Sequence, residues 1–180
     1  ILAAWFQAVT PRTAGFNTLN ISELTADSTL LMLLLMIIGG GSVSTASGIK
    51  IGTFIILLLA MYSYLRQKPQ VTVFNRQLSD KLVIKALSVL VLYLFTAFLS
   101  IMVISKIEQA SLLDITFETI SALSTVGLSR DFTSTLSTPS QMVIILLMLI
   151  GRVGPLTFAY CFTKPKLQHL KFAKTTVQIG

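Results

Sequence analysis

The sequence predicts an all-α integral membrane protein, and three observations carry that expectation. Hydrophobic residues make up 53% of the 180-residue chain and charged residues only 12%, too little polarity to clothe a soluble domain of this size. The apolar residues fall in runs long enough to cross a bilayer, since roughly 20 helical residues match about 30 Å of hydrocarbon. The basic residues, 14 against 7 acidic ones, gather beside those runs. Membrane topology therefore explains the net charge of +7, and a nucleic-acid partner is not expected.

Each element follows in order. Residues 29–65 form the first long apolar region. As one helix it would reach about 55 Å, more than a tilted span needs. It is interrupted by Gly39-Gly40-Gly41-Ser42-Val43-Ser44-Thr45-Ala46-Ser47-Gly48. Three consecutive glycines and four hydroxyl residues weaken a helix severely. The expected result is a transmembrane helix broken inside the bilayer, with its loop in a water-filled cavity; small-residue helix packing is the alternative reading. Residues 66–85 are polar and basic. Residues 82–105 predict a spanning helix with Lys85 at its entrance, and 106–111 a short polar loop. Residues 111–125 are apolar but reach only about 20 Å, too short to span. Ser111 and Asp114 read there as a capping-box variant. Residues 139–163 predict a second full span, with Arg152 midway along it, and a basic tail begins at Lys164. The chain opens Ile1-Leu2-Ala3-Ala4, with neither an initiator Met nor a signal pattern, as expected of a fragment.

Basic residues set the orientation. Arg66, Lys68, Arg76, Lys81 and Lys85 share one loop, and Lys164, Lys166, Lys171 and Lys174 share the tail. Both belong in the cytoplasm. Residues 12–27 and 106–138 then face outside, with Glu23, Asp27, Glu108, Asp114, Glu118 and Asp131. An acidic vestibule concentrates cations, although outer loops need polar residues in any case.

The short apolar segment now has a purpose. It enters from outside, stops part way, and hands over to Ser124-Thr125-Val126-Gly127-Leu128-Ser129. Such a re-entrant half-helix aims its partly negative C-terminal end at the membrane centre. Non-helical backbone at that depth is tolerated only where it is buried or lines water. Thr-Val-Gly also opens the potassium filter sequence, in which carbonyls replace the ion's hydration shell. A plain turn glycine is the bland reading of one such tripeptide, but the chain carries the pattern twice. Thr13-Ala14-Gly15-Phe16 likewise follows an apolar stretch and precedes a polar outer loop and a long apolar span. The upstream phenylalanines, Phe6 and Phe117, are out of step by one residue. Each unit reads half-helix, filter, span, and two units do not enclose a pore.

Catalysis finds no support. A lone His169, a lone Cys161 and no buried carboxylate pair give neither a metal cluster nor a nucleophile–base constellation. The chain is read as a non-enzyme without a cofactor. Three function classes remain: a channel-like cation conductor, an ion-coupled symporter with discontinuous helices, and a structural fragment or membrane enzyme. Sodium or proton dependence favours the second, and ion flux separates the first two from the third.

The stretches "AVTPRTAGFNT", "GGGSVSTASGIK", "FETISALSTVGLS" and "GRVGPLT" together resemble the Trk/Ktr/HKT potassium transporters. They match the second half of the pore-forming subunit, the tail "VQIG" favouring the Ktr type. The resemblance covers essentially the whole chain and implies helix–pore-loop–helix repeats, four around one pore. Residues 1–66 would hold an incomplete third repeat, pore loop and broken second helix, and 67–180 the fourth. It implies a filter with one glycine per repeat, Gly15 and Gly127, and carbonyls of Thr13, Ala14, Thr125 and Val126 beside them as ligands for K+. Because Phe16-Asn17 and Leu128-Ser129 stand where a tetrameric channel has Tyr-Gly, some sodium passage is expected. The resemblance also implies an intramembrane gating loop over Gly39, Gly40, Gly41, Ser42, Ser44, Thr45, Ser47, Gly48 and Lys50, a snorkelling end-of-helix lysine being the alternative for Lys50. It implies that Arg152 lies below the filter, within bonding reach of loop carbonyls; a structural anchor is the alternative for this arginine. A bacterial plasma-membrane location, contact with lipid, a homodimer and a cytosolic nucleotide-binding regulatory subunit of the KtrA or TrkA type are implied too. Residues 66–85 and the tail are the candidate docking surfaces for that subunit.

Overall fold

A computed structural model describes residues 2–41, 46–68, 70–73 and 76–161. Ser42, Ser44 and Thr45 of the expected loop, His169 and the tail lysines lie outside the described residues. These residues form α1 (Leu2–Val9), α2 (Ala26–Ile37), α3 (Ile51–Leu65), β1 (Thr72–Val73), β2 (Arg76–Gln77), α4 (Asp80–Ile107), α5 (Leu112–Leu123), α6 (Thr138–Val153) and α7 (Pro155–Cys161).

Helix α4 is the backbone of the arrangement. Its 28 residues reach about 42 Å, and among the described residues it alone is long and apolar enough to cross a membrane. Tyr93, Ala97, Ser100 and Ile104 recur at helical spacing and are buried. The rest of its surface is also apolar, with Leu87, Val91, Phe95, Phe98 and Met102 exposed, as lipid-facing side chains are. The helix starts at Asp80, so Lys81 and Lys85 sit in its first turns rather than in a loop. Ahead of it, within the basic stretch expected as loop, β1 and β2 pair antiparallel, Thr72 opposite Gln77 and Val73 opposite Arg76.

The first apolar region is interrupted where the glycines stand. Thr25 caps α2 by accepting from the Ser28 amide at 3.4 Å. Helix α2 ends at Ile37, and the chain later returns to the same point. The Gly39 amide donates to the Ile49 carbonyl at 2.9 Å, that of Ile49 to Ile37 at 3.0 Å, and that of Ile51 to Gly40 at 3.2 Å. Two short helices of 12 and 15 residues replace one long one.

The expected second full span, 139–163, does not form as one helix. Helix α6 ends at Val153, Gly154 takes φ +92°, and Pro155 opens α7. Glycine enters the left-handed region without penalty, and proline lacks the amide that would continue the ladder while suiting the first turn of a new helix. Two helices are therefore interrupted rather than one, and Arg152 lies in the last turn of α6 rather than midway along a span.

Helix α5 is enclosed by the others. One cluster packs Ile115, Ala122 and Leu123 of α5 against Tyr93, Ala97 and Ile104 of α4 and Ile144, Leu147 and Ile150 of α6. A second joins Ile21 and Met32, Leu33 and Met36 of α2 to Phe117, Ile120, Val126 and Leu128. Between apolar helices in lipid the gain is close packing rather than water exclusion. Gly151 shows how close: a β-carbon there would lie 2.0 Å from the Leu123 carbonyl oxygen.

Candidate functional site

The site is built from two loops with one backbone signature. Helix α5 stops by a Schellman closure: the Val126 amide donates to the Ser121 carbonyl at 2.9 Å and the Thr125 amide to Ala122 at 3.0 Å. Such a closure needs a left-handed residue, usually glycine, but here Thr125 holds φ +51°. Gly127 follows at φ +87°. In the other loop Thr13 holds φ +68° and Gly15 φ +75°. A β-branched residue at positive φ costs about 1–2 kcal/mol, so each loop spends that amount on the same position. Strain of this kind persists where surrounding contacts enforce it, and it points to a working site. Ala14 and Val126 are not among the positive-φ residues. An alternating sign of φ turns successive carbonyls toward one side of the chain.

The surroundings enforce both loops. Ser124 is fully buried, and its hydroxyl meets that of Tyr93 on α4 at 2.6 Å. Glu118 on α5, also buried, accepts from Ser129 at 2.8 Å and from Thr133, clamping the chain beyond Gly127. In the first loop the buried Thr10 hydroxyl donates to the Phe16 carbonyl.

The loops also touch each other. A β-carbon on Gly15 would stand 2.4 Å from the Val126 carbonyl oxygen, and the Gly15 α-carbon lies 4.0 Å from where a β-carbon on Gly127 would be. Segments 112 positions apart thus meet backbone to backbone. The helices after them keep the same offset, with N-caps at Thr25 and Ser137. The one-residue mismatch of Phe6 and Phe117 therefore does not disturb the register of each glycine loop and its following helix.

Arg130 joins the two loops on the side of the α5 N-terminus. Its Nε donates to Asp114 Oδ1 at 2.8 Å, Nη1 to the Ile21 carbonyl at 3.2 Å and to Thr29 Oγ1 at 2.8 Å, and Nη2 to the Ser22 carbonyl at 3.3 Å. Ser111 caps α5 as expected, accepting from the Asp114 amide at 3.2 Å and donating to Asp114 Oδ2 at 2.6 Å. Burial alone would raise the Asp114 pKa, but Ser111 and the Arg130 guanidinium outweigh it and hold it below the ordinary value. Sequence reasoning missed Arg130, Tyr93 and the buried clamp of Glu118. A signal for Arg130 existed: it is a basic residue on the side the topology makes acidic.

A cavity of about 460 Å³ opens beside the second loop, lined among others by Glu118, Thr125, Gly127, Ser129, Thr133 and Arg152. Arg152 thus comes together with the second loop. The described part of the 39–48 loop is pinned where its two ends meet. A β-carbon on Gly39 would lie 2.0 Å from the Ser47 carbonyl oxygen, Gly48 holds φ +77°, and Lys50 Nζ donates to the Ala46 carbonyl. Gly40 is half-buried and Gly41 exposed.

Described residues that are mostly helical, with an apolar exterior and strained polar backbone held inside, are what a helical membrane protein presents. Residues 1–170 match the family model described as TrkH, cation transport protein, and the chain belongs to that family. It is 46% identical to the Ktr system potassium uptake protein B of Bacillus subtilis over 99% of this chain and 40% of that protein. It is 40% identical to the protein of the same name from Vibrio alginolyticus, over 99% of this chain and 39% of that one. Identity is 37% to the potassium/sodium uptake protein NtpJ of Enterococcus hirae, over 87% and 36%. The chain spans about two fifths of the length of these relatives.

Proposed function

We propose that the chain is part of the pore-forming subunit of a bacterial plasma-membrane potassium uptake protein, residues 1–66 supplying an incomplete third pore-loop unit and 67–180 the fourth. The observation that carries this reading is the pair of strained Thr-X-Gly loops meeting at Gly15 and Val126. A potassium ion entering between such loops exchanges water for the carbonyls of Thr13, Ala14, Gly15, Thr125, Val126 and Gly127. The C-terminal end of α5 adds its partial negative charge at the same place. The relatives named for potassium uptake support the choice of ion, and the potassium/sodium name of another leaves room for sodium.

The exposed side of the first loop supports further units. Val126 and Leu128 are buried against Ile21 and α2, whereas their counterparts Ala14 and Phe16 are exposed, Phe16 by 71%. A preceding unit would cover them as this unit covers Val126 and Leu128. The loop over 39–48 then acts as the gate, its mouth pinned by the Ile38–Ile49 bridge, and Arg152 lends a positive charge below the filter that opposes cation passage. A homodimer with a cytosolic nucleotide-binding subunit on the basic 66–85 segment and the tail completes the system. The interruptions of both α2/α3 and α6/α7 also suit an ion-coupled symporter; uptake that requires a sodium or proton gradient would select it.

The test is Gly127→Ser in the full-length protein. A side chain at φ +87° redirects the carbonyls, so the preference for potassium over sodium falls while protein still reaches the membrane. Unchanged competition between the two ions would falsify the filter.

A further inference from the structure

Arg130 is three-quarters of the way along the chain, yet three of its four hydrogen bonds reach the first loop unit: the Ile21 and Ser22 carbonyls and Thr29 Oγ1. The fourth goes to Asp114 on α5. Its side chain is only 12% exposed. A planar guanidinium with fixed donors imposes distances and angles on what it binds, which a lysine ammonium does not. The segment it grips leaves Gly15 and runs to the N-terminal turn of α2. Its own segment leaves Gly127. At the inner end the same two strands touch through the Val126 carbonyl and the Gly15 α-carbon. The pair is therefore fixed at two levels, by backbone contact at the glycines and by Arg130 beyond them.

We propose that Arg130 is a specificity-determining positioning residue that sets the spacing between the two carbonyl-bearing strands. The proposal rests on the filter reading of the two loops. Carbonyls discriminate potassium from sodium only if they cannot close in on the smaller ion. Thr125 and Thr13 hold strained backbones that relax once external contacts weaken. Losing the Arg130 staple frees the strands to approach, and sodium gains more from that than potassium. Asp114 serves as counter-ion, so the arginine adds no uncompensated charge at the outer mouth, and its effect is on geometry rather than on cation concentration.

The experiment measures uptake of potassium, rubidium and sodium by the full-length transporter for Arg130→Gln, Arg130→Lys and Thr29→Val, with Gly127→Ser as reference. Arg130→Gln lowers the potassium-over-sodium ratio about tenfold, the ratio worth about 1.4 kcal/mol and near the lower end for charge-assisted hydrogen bonds. Arg130→Lys recovers part of it, because one ammonium cannot serve all four acceptors. Thr29→Val keeps volume and charge while removing one acceptor, so its ratio falls in the same direction by about threefold. Because this substitution is nearly isosteric, it decides the matter if Arg130→Gln does not reach the membrane. A purely structural arginine would lower uptake of all three ions in proportion and leave the ratios alone. Unchanged ratios in the Arg130 and Thr29 variants, with a fallen ratio in Gly127→Ser, overturn the proposal and leave the filter standing. An unchanged ratio in Gly127→Ser as well overturns both.

Discussion

The unit around Gly15 and the unit around Gly127 share a plan and differ in what holds it. Both carry a strained threonine two residues before a left-handed glycine. Both cap the next helix ten residues after that glycine, at Thr25 and Ser137. Both place a glycine fourteen residues into the sequence that follows the cap, Gly39 and Gly151, and at each a β-carbon would come within 2.0 Å of a carbonyl oxygen. The difference lies in whose carbonyl it is. At Gly151 it belongs to Leu123, the last residue of α5, so the glycine seats the end of that helix. At Gly39 it belongs to Ser47, so the glycine seats the loop between α2 and α3. The same small residue at the same place packs against the end of a helix in one unit and against a loop in the other.

That contrast is broken most directly by adding one methyl group at each position. In Gly151→Ala the group that must yield is the end of α5, locked by the surrounding core and by the Tyr93–Ser124 bond. A loss of about 3 kcal/mol or more is expected, with protein failing to accumulate in the membrane. In Gly39→Ala the Ser47 carbonyl sits in a loop and can move. That variant is expected to accumulate and, under the proposed gating role of the loop, to show a raised potassium flux. Membrane content measured by immunoblot beside potassium uptake tests both. Equal accumulation of the two variants would mean that the glycines do the same job.

A smaller effect separates the two loop glycines, Gly15 and Gly127. Gly15→Ala combines positive φ with a β-carbon 2.4 Å from the Val126 oxygen, whereas at Gly127 the nearest atom, the Gly15 α-carbon, is 4.0 Å away. Gly127→Ala therefore costs about 1–2 kcal/mol from backbone strain alone, and Gly15→Ala about 1–3 kcal/mol more from the collision. Thermal melts and potassium-over-sodium competition should both rank Gly15→Ala as the worse. If the two prove equal, a carbonyl from outside this chain lies against Gly127 as that of Val126 lies against Gly15.

How much of this was legible depends on whether the information is local. The helix interruption at Gly39–Gly48 and the Ser111 cap are local chemistry, and both fall where the residues indicate. The break at Gly154-Pro155 is equally local, but the hydropathy of 139–163 is that of one span and hides it. The two Thr-X-Gly loops were visible as words, but their meeting at Gly15 and Val126 was not. Contact between segments 112 residues apart is set by the packing of Phe117, Ile120 and Leu128 on α2, which no periodicity reveals. The strain at Thr13 and Thr125 was hidden for a related reason: the neighbouring contacts impose it, against the preference of a β-branched residue. Glu118 read as an outer-loop acid, but its place on an enclosed helix face makes it a clamp.

The gentlest probe of the comparison is acid. Two outer carboxylates hold the second unit together, one inward and one across. Ser137 holds the Glu108 pKa below the ordinary carboxyl value by donating to it, with Ser140 and the Ser137 amide assisting, which ties the end of α4 to the start of α6. Asp114 is lowered likewise and, through Arg130, ties the second unit to the first. A group whose folded pKa is depressed stabilises the fold above its unfolded pKa and loses that contribution as pH falls through the folded one. Both ties are thus complete at neutral pH and fade only below about pH 4. Both groups are half-buried at the surface, so solvent screening still keeps each effect small. Asp114→Asn and Glu108→Gln should therefore melt slightly below the parent at neutral pH and converge on it in acid. Only Asp114→Asn should also reduce potassium-over-sodium discrimination at neutral pH, because only that carboxylate anchors the arginine between the loops. A melting gap that does not narrow as the pH falls further into acid would show that the side chains act by packing rather than by charge, and equal selectivity in the two variants would detach Arg130 from the proposed filter.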